Sequence, residues 1–301
     1  MACFQAQSQR ELLTYVPASS YAVLAVNWKT VSKDTDLNKI SKGVEVEKLF
    51  AQLGLPEGSV REFAVFSDPG SSGHMSSGLI VKGSFDSDDV VKELVKQGWT
   101  EQDFEGRRVY ANPKDGSWLA TFHKQILILG TESGVKDAIG AESRSEDRFT
   151  ANPAYKVLAA HFEGKQYPIL MMVALPPASQ DMANAAVQLT STVMNLTGIG
   201  PLGDLLNKIG YAQGLGCAIS HRDDLFPVAL LAVMKDEESA KLVSGALSLL
   251  TNLGGMVSKN YASRTDADAT LALRTMMIER KREVVVIKMS LSKKDLAPMN
   301  H

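Results

Sequence analysis

Short apolar runs alternate with helical stripes along this chain, and the alternation occurs twice in the same order. The run YAVLAVNW at 21–28, bounded by Pro17 and Ser20, predicts a buried strand. In EVEKLFAQLG the residues Val46, Leu49, Phe50 and Leu53 fall at i, i+3, i+4 and i+7, one face of a helix that Gly54 and Pro56 bring to an end. EFAVFS at 62–67 and GLIVKGSF at 78–85 predict two strands around the loop DPGSSGHMSSG. Asp86 then caps a second helix, whose stripe is Val90, Val91, Leu94 and Val95 and whose end is Gly98. Three short strands close the unit, RRVYA at 107–111, SWLATF at 117–122 and QILILG at 125–130, with His123 and Lys124 left as a tight turn.

The second set begins with YPILMMVAL at 167–175. Leu202, Leu205, Leu206, Ile209 and Gly210 repeat the spacing of the first helix with one extra apolar position. YAQGLGCAIS at 211–220 and FPVALLAVM at 226–234 form the central pair, and Asp236 stands where Asp86 stood. A stripe of Leu242, Val243, Ala246, Leu247 and Leu250 follows, then TLALRTMMIE and REVVVIKMSL across 270–291. The order β-α-β-β-α-β is that of a ferredoxin-like unit, an antiparallel sheet with helices on one face. The expectation is an α+β protein of two tandem ferredoxin-like repeats: 1–150 with an N-terminal tail, and 151–301 with a long uncharged helical insertion at about 178–200.

Composition narrows the function classes. The chain has 301 residues, 45% of them apolar, enough for two cores. Its formal net charge is −2 and it carries no run of like charge, which removes the electrostatic footprint expected of a nucleic-acid binder. No stretch of 18 apolar residues is present, and no basic segment with an apolar core opens the chain; taken literally, this points to the cytoplasm. Met1-Ala2-Cys3 followed by FQAQSQRE has the form of a bacterial lipoprotein start, in which a small residue precedes the Cys that becomes lipidated. Cys3 is therefore either a lipidation site or an ordinary residue of a frayed terminus, and Cys217, on a central strand, is expected in the core.

Several phrases carry a resemblance. YVPASSYAVLAVNW, FEGRRVYANPKDGSWLATFHKQILILGTESGVKDAIG and the inter-repeat Asn-Pro-Ala-Tyr-Lys at 152–156 resemble a family of poorly characterised bacterial surface or periplasmic proteins, often lipoproteins, built from tandem repeats. The similarity spans most of 11–291, and the long uncharged insertion of the second copy departs from it. The resemblance implies an extracytoplasmic, non-enzymatic role and brings no catalytic residue with it.

Catalytic signatures are few. GIGPLG at 198–203 matches the dinucleotide-binding glycine pattern, but a helical stretch precedes it where a strand is required, and Pro201 lies within it. Ser290 and Lys293 have the Ser-x-x-Lys spacing without the companion motifs of that hydrolase class. His74, His123, His161, His221 and His301 show no metal-binding spacing. His221 in HRDD stands beside Asp223 and Asp224, an arrangement that fits a solvated hairpin turn better than a cation site. Neither a cofactor nor a metal is expected.

The remaining asymmetry is in the second half. Ten of the twelve Met residues lie after position 170, and 182–203 carries no charged side chain. The predicted helix 181–197 has a stripe of Met182, Ala185, Ala186, Leu189, Val193 and Leu196, with Asn184, Gln188, Ser191 and Asn195 elsewhere on its surface. A neutral polar face of this kind is either contact surface for a protein partner, the first repeat or a membrane, or part of a large buried helix. Gln188, Ser191 and Asn195 are the partner-binding candidates. The functional expectation is a non-catalytic cell-envelope binding or scaffolding protein, with an accessory subunit of a membrane-associated complex as one form of that role. The alternative is a carrier of an apolar small molecule in a Met-lined cleft.

Overall fold

The computed structural model describes residues 11–41, 46–68, 76–162, 167–174, 212–245, 247–248 and 275–292. The partner-binding candidates Gln188, Ser191 and Asn195, the lipidation candidate Cys3, GIGPLG and the insertion at 178–200 lie outside the described residues. The chain divides into two compact units, Met1–Lys156 with Glu163–Met171, and Val157–Phe162 with Met172–His301. The class is α+β, with large antiparallel sheets.

In the first unit β1 (Ala22–Val26) leads through three short helices, α1 (Trp28–Val31), α2 (Thr35–Ser41) and α3 (Val46–Gln52), to the hairpin of β2 (Val60–Asp68) and β3 (Ser76–Gly83). Helix α4 (Ser87–Lys96) follows, with the Asp86 carboxylate accepting from the Asp88 amide as the sequence predicts. Strands β4 (Thr100–Phe104), β5 (Arg107–Ala111), β6 (Trp118–Phe122) and β7 (Ile126–Gly130) then run as a meander into α5 (Glu132–Ser143). His123 and Lys124 lie in the tight turn between β6 and β7, both with positive φ, and with Gln125 they make a three-residue loop between the register partners Phe122 and Ile126.

The sheet order is β1-β2-β3-β7-β6-β5-β4, antiparallel throughout. This corrects the ferredoxin-like expectation. A split β-α-β unit places another strand between the two strands joined by the helix. Here β1 registers directly against β2, Val23 opposite Phe66 and Ala25 opposite Ala64.

A second correction concerns the helices, which cover both faces of this sheet. Registered residues share a face. On one face Phe63 packs edge-on against Phe50 of α3 and at a tilt against Trp28 of α1, and those two rings meet edge-on. The opposite face carries Ala64, Phe66, Ile80, Ile128, Ala120 and Phe122. There Tyr15 packs on Phe122, and Lys136 of α5 stands over Trp118. The physical reason was already in the strand sequences. Ile126, Leu127 and Ile128 are all buried, as are Leu79, Ile80 and Val81, a continuous run rather than the alternation of a one-sided sheet. Close seating of α5 needs two glycines: a Cβ on Gly130 or on Gly134 would come within 2.2 Å of the Ser77 carbonyl oxygen.

The second unit starts on α6 (Pro153–Phe162), which enters it at Val157, and on β8 (Ile169–Ala174), which enters it at Met172. Strands β9 (Ala212–Ile219), β10 (Leu225–Met234), β11 (Met277–Lys281) and β12 (Val284–Ser292) complete an order β8-β9-β10-β12-β11. Asp236 caps a helix over 237–245, accepting from the Ser239 amide at 2.7 Å. Gly216, opposite Leu231, leaves room for Leu158 and Phe162 of α6, which lie 3.0 and 2.9 Å from where its Cβ would stand.

Candidate functional site

Several ionisable side chains of the first unit gather on the sheet face beneath residues 11–16. The helical turn at 11–13 and the residues after it are pinned by apolar contact: Leu12, Leu13, Tyr15 and Val16 are all buried. The stretch 147–149 holds this part of the chain in place through backbone bonds, Phe149 N–H to Val16 O at 2.8 Å and Ala18 N–H to Asp147 O at 2.6 Å.

Under this segment, Glu62 on β2 and Lys82 on β3 are register partners. Glu62 shares its face with Ala64 and Phe66 and is only 6% exposed. Lys82 forms an ion pair with Glu11 above it. Burial pushes the Glu62 carboxyl from 4.5 up to about 7; Lys82 and Arg61 pull it down and Glu11 pushes it up, but burial dominates. Tyr15 is also shifted, up to about 12, by burial first and then by Glu11 and Glu142, with Arg107 and Arg148 opposing. A phenol held that high stays protonated at neutral pH and cannot serve as a base.

Beside Tyr15 the charges are consumed in structure. Arg107 stands 4.7 Å over the Phe122 ring and pairs with Glu142 of α5. Arg148 donates from Nε to Ala141 O and from Nη2 to Glu142 O, at 2.8 and 2.7 Å, closing the C-terminal end of α5.

A cleft of about 270 Å³ opens further along α5, lined among others by Ala18, Phe104, Lys136, Asp137, Gly140 and Arg144. Lys136 is held by Glu132 and lies 5.0 and 4.9 Å from the Phe104 and Trp118 ring centroids. Arg144 pairs with Asp147. Asp137 accepts from the Ser76 hydroxyl at 3.1 Å; burial raises its carboxyl, the Ser76 bond lowers it and Asp68 raises it.

The sequence candidates fall elsewhere. His123 is exposed in its turn, and His161 lies 3.0 Å from Val157 O within α6. His221 stacks on Phe226 with centroids 4.5 Å apart, and Asp223 and Asp224 are exposed in the adjoining turn. Ser290 exchanges hydrogen bonds with Thr275 through its backbone. Met171, Met172, Met234 and Met289 are buried core residues, and the cleft on the first unit has a mixed polar and apolar lining that includes no methionine. The strand signal of EFAVFS conceals Glu62 among apolar neighbours. Its i, i+2, i+4 relation to Ala64 and Phe66 was the available signal.

No family model matches the chain. The uncharacterized protein MJ0635 of Methanocaldococcus jannaschii is 29% identical over 82 residues, 27% of this chain and 29% of that protein, so the chain spans less than a third of that relative. Among solved structures, crystal forms I, III and IV of TP0453 are similar, with TM-scores of 0.48, 0.44 and 0.48 at 11%, 10% and 12% identity. Each alignment covers 95% of this chain and 94%, 95% and 94% of the neighbour. These neighbours bring no residue correspondence and no activity.

Proposed function

We propose that this protein is a non-catalytic binding or scaffolding protein of the cell envelope, held at a membrane through a lipid on Cys3 and engaging a protein partner through Gln188, Ser191 and Asn195. The observation that supports it most is the use made of the ionisable groups in the first unit: Arg107, Glu142, Arg148, Lys82, Glu11 and Lys136 are tied to one another, to backbone or to aromatic rings. Groups engaged in this way stiffen a framework, which supports a binding or scaffolding role.

The two units read as copies of one structural repeat. In each, a hairpin is followed by a capped helix, and the last strand returns beside the second strand of the hairpin, β7 beside β3 and β12 beside β10. Asp86 and Asp236 occupy the same place in the two sequences of elements.

The test is made in the native cells. Metabolic labelling with an alkyne fatty acid should mark the protein and be lost in Cys3→Ala, which should also leave the membrane fraction. Substituting Gln188→Lys with Asn195→Glu should reduce recovery of the copurified partner without changing the circular dichroism spectrum. An unlabelled protein in the cytosolic fraction, with no partner lost on the double substitution, would overturn the proposal.

A further inference from the structure

A buried carboxylate beside a lysine that is already engaged by a second carboxylate is a poised arrangement. Glu62 and Lys82 face each other across the β2–β3 ladder, and Glu11, in the segment that covers them, pairs with the same Lys82. One ammonium therefore serves two acids. While Glu62 is protonated there is no competition, and the segment is pinned by the Glu11–Lys82 pair and by Leu12, Leu13, Tyr15 and Val16. Ionised, Glu62 places a second negative charge in a buried site next to that pair and draws on the same lysine.

We propose that Glu62, Lys82 and Glu11 form a pH-sensitive latch, in which ionisation of Glu62 raises the population of a state with residues 11–16 lifted from the sheet. The charged groups acting on Glu62 are Lys82 from β3, Glu11 from the covering segment and Arg61 from its own strand. Strand β1, on the other side of β2, is AVLAV and has no charge to offer. Arg107, Glu142 and Arg148 act on Tyr15 of the covering segment. The direction is fixed: opening exposes the carboxyl to water, where it ionises more readily, so alkaline conditions favour the open state and acid conditions the closed one. With the carboxyl at about 7 when closed and near 4.5 when open, opening increases roughly thirty-fold between about pH 5.5 and about pH 8.5. The latch is independent of whether Cys3 carries a lipid.

Amide hydrogen exchange at residues 12–16, corrected for the intrinsic pH dependence of exchange, reads the open population. The wild-type chain should show the thirty-fold rise, with Ile80 and Val81 of β3 unchanged. Glu62→Gln cannot ionise and should abolish the rise; Glu11→Gln, which keeps Glu62 but frees Lys82, should move the midpoint to lower pH and keeps the test decisive if the first variant does not fold. The latch is overturned if the corrected exchange of 12–16 is flat with pH, if Glu62→Gln retains the rise, or if Ile80 and Val81 open in step with the segment.

Discussion

The Phe66 ring stands where a side chain on Gly78 would be: the two residues are register partners across β2 and β3, and a Cβ on Gly78 would lie 2.4 Å from Phe66 Cζ. Phe66 is fully buried, and close-packed interiors leave such a ring little room to move. Gly78→Ala should therefore destabilise the first unit by about 1–3 kcal/mol, the range for overpacking a core. Urea denaturation measures it. The double variant Gly78→Ala with Phe66→Leu should cost less than the sum of the single changes, because the smaller side chain vacates the contested space. Strict additivity would mean that the ring is not what excludes the methyl group.

Much of the strand and helix framework was legible because these elements announce themselves in apolar runs. VLAV, FAVF, GLIV and ILIL are strands, and Asp86 and Asp236 cap helices. What failed was inference from element order to sheet order. The split β-α-β reading and one pairing β1 directly with β2 share the same order of elements, and only β1–β2 register separates them. Strand β4 was missed because TEQDF presents an exposed, charged edge with no apolar alternation. Two-sided covering of the sheet was legible in principle: ILIL and GLIV lack the polar alternation of a strand with one wet face. The Glu62 cluster required knowledge of register, since Glu11, Glu62 and Lys82 come from three separate segments.

Glu62 also makes overall stability depend on pH. Its folded value, about 7, lies above its ordinary 4.5, so between these values the folded chain binds more protons than the unfolded one. Stability from this group is then greatest below pH 4.5, falls as pH rises toward 7 and is level above that. The difference between wild type and Glu62→Gln isolates the effect from all other titrating groups. Glu62→Gln should gain on wild type by up to ~3 kcal/mol from acid to neutral pH, an upper bound from the size of the shift. Chemical denaturation at several pH values checks the sign; a gain that shrinks as pH rises would show that the carboxyl is not raised.

Cys217 is fully enclosed on β9, and burial pushes its thiol up to about 12. Alkylation needs thiolate and access, and this site offers neither. In a Cys3→Ser background the native protein should resist iodoacetamide at pH 8 and react only as it unfolds, so that modification follows the unfolding curve in urea. Rapid stoichiometric labelling in buffer would mean that β9 opens independently of the rest of the second unit.

Arg148 ties together three pieces of chain. Its Nε and Nη2 reach Ala141 O and Glu142 O, 2.8 and 2.7 Å away, two carbonyls that the last turn of α5 leaves without helical partners. Its own backbone bridges to Pro17, and the next residue donates to Val16 O. The guanidinium can bond both carbonyls at once because its donors are held in a plane; an ammonium on a flexible stem presents a single point of charge. Arg148→Lys should then lose about 1.5–3 kcal/mol despite keeping the charge, the value of one charged hydrogen bond. Arg148→Ala should lose more, and exchange at the Arg144 amide, which caps α5, should rise before that of β3. If Lys at this position matches the wild type in denaturant, attraction of charge to the helix end is sufficient and the forked geometry adds nothing.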